Sequence, residues 1–134
     1  MKNDVEDQKL EGVLTESEPP YESKEQATIG RLLDKYGLPF FYKQPVIIYD
    51  QGRNNIWYPT FTLPQNGCAV IDYINDSRKS VLENRLNIYR YNQIPATVLG
   101  PKDLDKPNWQ ESLYEKLQRQ TSRLPDFSVY KNHK

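Results

Sequence analysis

The chain of 134 residues contains one histidine, one cysteine and one methionine, and its charges cancel, with 18 Lys and Arg against 18 Asp and Glu. Each scarcity removes a class of chemistry. His133 is the only imidazole and stands in a polar C-terminal stretch, so histidine-based nucleophile relays and histidine-ligated zinc sites have no parts. Cys68 has no intrachain partner, which fits a reducing compartment, and its place in the apolar run CAVIDYI predicts a small buried side chain. No apolar run approaches the roughly 18 residues of a membrane span. The polar, acidic start lacks the basic-then-apolar pattern of a secretory signal. The expectation is a soluble, cytoplasmic protein with no membrane partner. Neither a P-loop nor a GxGxxG motif occurs, so the common phosphate-cradling loops are absent as well.

What the chain does have is tyrosine, ten residues of it in an aromatic content of 12%, enough to build a core despite the polar composition. Its charge is unevenly spread. Residues 1–26 hold 3 Lys/Arg and 8 Asp/Glu, net −5, whereas residues 27–134 hold 15 and 10, net +5. Residues 1–22 read as an acidic leader without stable structure, residues 23–124 as one domain, and residues 125–134 as a polar tail. Solubility is the ordinary role of such a leader, and its charge also suits it to cover a basic face.

Within the domain, Ser23 followed by Gln26 is a capping-box pattern, and Ile29, Leu32, Leu33 and Tyr36 form one apolar stripe, which predicts a helix from Lys24 to Tyr36 stopped by Gly37. Val46–Tyr49 and Ile56–Tyr58 flank DQGRNN and predict a β-hairpin. A short strand through Phe61 and Leu63 leads by PQNG into Cys68–Ile74, which is apolar on both faces and expected at the centre of the sheet. Val81, Leu82, Leu86 and Tyr89 mark a second helix, IPATVLGP a short strand, and Trp109, Leu113 and Leu117 a third helix with Pro107 near its start. The order implies an α/β fold with a mixed central sheet flanked by helices.

Without histidine, a phosphodiester can still be hydrolysed by magnesium held on carboxylates with a nearby lysine. The phrases SKEQATIGRLLDKYGLPFFYK, IWYPTFTLP, AVIDYIND and ENRLNIYRYNQIPATVLGP, in this order from Ser23 to Pro101, resemble the PD-(D/E)XK nuclease superfamily. The resemblance implies a restriction-endonuclease-like α-β-β-β-α-β core. It also implies a site, and here the site positions are altered. The helix glutamate falls on Gln26, beside Glu25; the aspartate of the PD motif falls on Thr60; the acid of the next strand falls on Asp72; and the lysine two places later falls on Ile74, with Arg85 or Lys79 as the basic substitute from the following helix.

The resemblance therefore implies a degenerate member, catalytically impaired, that acts by binding nucleic acid, DNA first, or a protein partner. An active magnesium-dependent endonuclease with a rearranged site, using Asp72 with Glu25 or Asp76, is the alternative, and a purely structural subunit of a larger assembly is another. Magnesium is expected to be absent or held weakly on Asp72. Cutters of this type often work in pairs, which allows a homodimer. Lys43, Arg53, Arg78 and Lys79, interleaved with Tyr42, Tyr49, Trp57, Tyr58 and Tyr73, are the candidate nucleic-acid contacts. The plainer readings stand beside these: Asp72 as an acid paired with Arg85, Thr60 as a strand residue, Gln26 as a helix cap, Asp76 as a turn residue, and Trp57 as core.

Overall fold

Ser23 has extended backbone, and its hydroxyl accepts the Gln26 N–H at 3.2 Å, so the chain enters helix α1 (Lys24–Lys35) with its N-terminal donors satisfied. The Gln26 side chain does not return to Ser23, as a full capping box requires; it accepts the Glu22 N–H at 3.1 Å. At the other end Gly37 takes φ +70, its N–H bonds to the Asp34 carbonyl, and the Leu38 N–H reaches back to Leu33 at 2.9 Å. This six-to-one closure turns Leu38 onto the core.

The computed structural model describes residues 18–123. Residues 1–17 of the expected leader and the tail 125–134, with His133, lie outside the described residues. Glu18–Glu22, which the sequence assigns to the leader, pack on the domain. Tyr21 sits over Gly30 and against Tyr42 and Phe61, and Glu18 pairs with Arg31 at 3.0 Å.

After α1 come β1 (Phe41–Tyr42), β2 (Val46–Asp50), β3 (Arg53–Trp57), β4 (Phe61–Leu63), a 3-10 turn at Pro64–Asn66 and β5 (Ala69–Tyr73). Helix α2 (Lys79–Tyr91), β6 (Ala96–Leu99), the short α3 (Pro101–Leu104) and α4 (Trp109–Arg123) complete the described chain. The fold is α/β. A four-stranded mixed sheet runs β1-β4-β5-β6, with β4 and β5 antiparallel and β5 and β6 parallel across α2. All five residues of β5 are buried, as its two apolar faces predict for an interior strand.

Three features differ from the sequence expectation. The hairpin β2–β3 is a separate two-stranded sheet and does not extend the main one. Its loop is only Gln51-Gly52, both at positive φ (55° and 78°), which matches the twist of a two-residue hairpin and lets Asp50, Asn54 and Asn55 pair as strand residues. Cys68 is exposed: it lies at φ +59 in the turn after Gly67, so β5 begins one residue later at Ala69. The predicted hydrophobic place in the run thus belongs to Ala69.

The sheet separates two apolar clusters. Ile71 and Tyr73 point toward α1 and α4, where Ile29, Leu33, Phe61, Leu113 and Leu117 are buried. Val70 belongs to the opposite cluster, with Ile48 of the hairpin, Tyr89 of α2 and Ala96. Asn92, just past α2, fixes the hairpin there: its side-chain amide accepts the Tyr49 N–H at 2.8 Å and donates to the Tyr49 carbonyl at 3.0 Å. Among the described residues no helix is long and apolar enough to cross a membrane.

Candidate functional site

The two-residue period of β5 sends Asp72 to the same face as Val70, into the layer between the sheet and α2. There it is 3% exposed. A carboxylate taken that far from water must be met by donors or it is lost as a charge. Asp72 is met on both oxygens. Its Oδ2 accepts the Tyr89 hydroxyl at 2.6 Å and Arg85 Nε at 3.1 Å, and its Oδ1 accepts the Thr60 hydroxyl at 3.3 Å and, at 3.4 Å, the Thr60 N–H.

Arg85 and Tyr89 stand four residues apart on α2, so one helical face delivers both. The guanidinium carbon of Arg85 lies 3.8 Å from the centroid of the Trp57 ring, and Trp57 meets Tyr89 edge-on with centroids 5.2 Å apart. The hairpin thus supplies a lid of indole over the ion pair, and the cation is stacked as well as paired. Burial first, then the neighbouring Asp72 carboxylate, raises the Tyr89 phenol far above its ordinary range, so it stays a donor at any physiological pH.

Thr60 explains the chemistry of the pair. An aspartate at that position would set two acceptors facing each other and call for a cation between them. Threonine supplies a proton, and its Oγ1 also accepts the Tyr73 N–H at 3.0 Å, which ties the start of β4 to the end of β5. The arrangement closes on itself through protein groups.

The remaining sequence candidates stand elsewhere. Gln26 is buried, but its Oε1 accepts the Tyr42 hydroxyl and the Glu22 N–H in the α1 layer, and it has no hydrogen bond to Asp72, Thr60 or Arg85. Its neighbour Glu25 joins none of the Asp72 bonds either. Ile74 continues β5 through its N–H to the Leu99 carbonyl. Asp76 forms a local turn: one oxygen accepts the Arg78 N–H at 2.9 Å, and both meet the Arg78 guanidinium. That bonding holds the Asp76 carboxyl at about 2, well below its usual range. Among the described residues there is no group of three or more His, Cys, Asp or Glu side chains that would hold a metal. The residues present do not fit a magnesium ion.

Three of the four expected nucleic-acid contacts are also engaged. Lys43 meets Glu22 at 3.2 Å, Arg78 meets Asp76 at 2.8 Å and Lys79 meets Glu83 at 3.8 Å. These are solvent-facing pairs worth little in stability, yet each sets a carboxylate beside a cation that a phosphate would need. Arg53 opens β3 and has no ion pair among the described residues.

Compared with protein-family models, curated proteins and solved structures, the chain matches none of them. Sequence reasoning paired Arg85 with Asp72 but missed Tyr89 as its second donor, having placed that residue only on an apolar stripe. The four-residue spacing of Arg85 and Tyr89 was the available signal.

Proposed function

We propose that the chain is a nuclease-like α/β domain that does not cut phosphodiesters and acts by binding a protein partner. The observation that carries the reading is the engagement of both Asp72 oxygens by Tyr89, Arg85 and Thr60. With the hairpin set aside as an insertion, the run α1–β1–β4–β5–α2–β6 follows an α-β-β-β-α-β order, which supports a restriction-endonuclease-like scaffold. A shared scaffold does not carry its chemistry with it. An endonuclease built on Asp72 would first have to pull that carboxylate away from its donors, and its second ligand would have to come from Asp76, already held by Arg78, or from Glu25.

A protein partner is favoured over DNA because Lys43, Arg78 and Lys79 already face carboxylates. DNA binding is the second reading, favoured by the net +5 of residues 27–134 and by Arg53.

The test incubates purified protein with labelled duplex, single-stranded and branched DNA in magnesium or manganese, beside an Asp72→Asn control. No cutting is expected. Metal-dependent cutting that disappears in the control would overturn the reading. The same samples run on native gels address the second one, since DNA binding would weaken steeply with salt and with Arg53→Gln.

A further inference from the structure

β6 is the last strand of the main sheet, and its outer edge lines a groove of about 180 Å³ between α2 and α4. The Pro95 and Leu99 carbonyls accept from Val70 and Ile74 of the β5 side, at 2.9 and 2.8 Å. In a parallel ladder this alternation turns Pro95, Thr97 and Leu99 toward β5 and the N–H and C=O of Ala96 and Val98 outward, to the groove. An edge of this kind is a template for another strand.

The groove is basic on both sides. Arg90 comes from α2, and Lys116 and Arg119 come from α4. None of the three is in an ion pair among the described residues, unlike Lys43, Arg78 and Lys79. Gln120 Nε2 donates to the Ala96 carbonyl at 2.6 Å and to Thr97 Oγ1 at 3.1 Å, in the place an added strand's N–H would take. The contrast with Asn92 is informative. Asn92 closes the edge of β2 with both halves of its amide, whereas Gln120 Oε1 is buried with no partner among the described residues. A buried acceptor left unpaired makes Gln120 a plug that is easily displaced.

We propose that the outer edge of β6 binds an extended acidic peptide segment as an added strand, with its main chain paired to Ala96 and Val98 and its carboxylates set on Arg90, Lys116 and Arg119. Successive side chains of a strand point to opposite faces, so neighbouring acids would reach α2 on one side and α4 on the other. Backbone pairing selects a peptide over a nucleic acid, and the three cations select its charge. The proposal rests on the non-cutting, protein-binding reading above and names its surface.

The test titrates the full chain into a fluorescein-labelled glutamate-valine peptide of Glu-Glu-Val repeats, whose adjacent glutamates fall on opposite faces of a strand, and reads anisotropy. A lysine-valine peptide and a short DNA duplex serve as competitors. Binding is expected to weaken at least about tenfold in Arg90→Glu/Arg119→Glu. It is also expected to be lost in Val98→Pro, which removes an outward N–H without touching the ladder to β5. Circular dichroism confirms that each variant folds, and the surface double variant keeps the test decisive where Val98→Pro fails to fold. No binding of the glutamate-valine peptide, unchanged affinity in the double variant or in a folded Val98→Pro, or displacement by duplex as effective as by unlabelled peptide would each overturn the proposal. A parallel cleavage assay on the same protein reads failure of the non-cutting assignment separately.

Discussion

Arg85 holds Asp72 with one nitrogen at 3.1 Å while its guanidinium carbon lies over Trp57, 3.8 Å from the ring centroid. A helix, the interior strand and the β2–β3 hairpin therefore meet at a single cation. Removing Asp72 leaves Arg85, Tyr89 and Thr60 aimed at nothing, and breaking a buried pair from one side costs about 3–5 kcal/mol. Asp72→Ala is expected to lose stability at the low end of that range, because the Arg85 side chain keeps 30% exposure and can reach water. Arg85→Lys retains the charge but loses the guanidinium over the Trp57 ring, so it should still be less stable than wild type. Urea unfolding of the two variants measures both effects.

Thr60→Asp tests the same hub from the other strand. It replaces a donor to Asp72 by a second acceptor, so the variant should be less stable than wild type and should regain part of the loss in magnesium or manganese. The wild-type melting temperature should not move with either ion. Thermal melts with and without metal read the difference.

The alkaline limb of stability has a defined cause. Tyr89 is raised far above its ordinary value by burial and then by Asp72, and Tyr21 is pushed up to about 12 by burial and then by Asp34. For each, the folded state resists losing the proton. Their contribution is fully present below the ordinary tyrosine value of about 10 and is lost as pH rises above it. Melting temperature should therefore fall as pH climbs through 10. Tyr89→Phe should flatten that fall while lowering stability at neutral pH by about 1.5–3 kcal/mol, since the hydrogen bond it removes goes to a charged group. Melts across pH on the two proteins measure both effects.

Tyr21 and Gly30 test whether the segment ahead of α1 belongs to the domain. A Cβ at Gly30 would overlap the Tyr21 hydroxyl. Gly30→Ala should destabilise the wild type by ejecting that ring. In a Tyr21→Ala background it should instead stabilise by up to about 1 kcal/mol, the helix propensity of alanine over glycine. A double-mutant cycle by urea unfolding gives the sign change directly.

The sequence shows these elements unequally, and the reasons are physical. Helix α1, the hairpin, β5 and the Leu113 and Leu117 stripe of α4 follow from periodicity and turn chemistry. β1 is two residues long, too short for any period, and Lys43 leaves it at φ +59. Cys68 falls outside β5 because its left-handed backbone delays the strand by one position, which composition does not reveal. At the hub, Asp72, Thr60 and Arg85 were visible as positions, while Tyr89 and Trp57 were hidden by their resemblance to ordinary core aromatics. The caps made by Asn92 and Gln120 join residues 43 and 24 positions apart, so no local pattern announces them.

The central claim is that Asp72 is a structural acid closed by protein donors, and paramagnetic manganese tests it most directly. In the amide NMR spectrum of the wild-type protein, added manganese should produce no selective broadening at Thr60, Asp72, Tyr73 or Tyr89. Selective broadening at those four amides that vanishes in Asp72→Asn would place a metal on Asp72 and contradict the account.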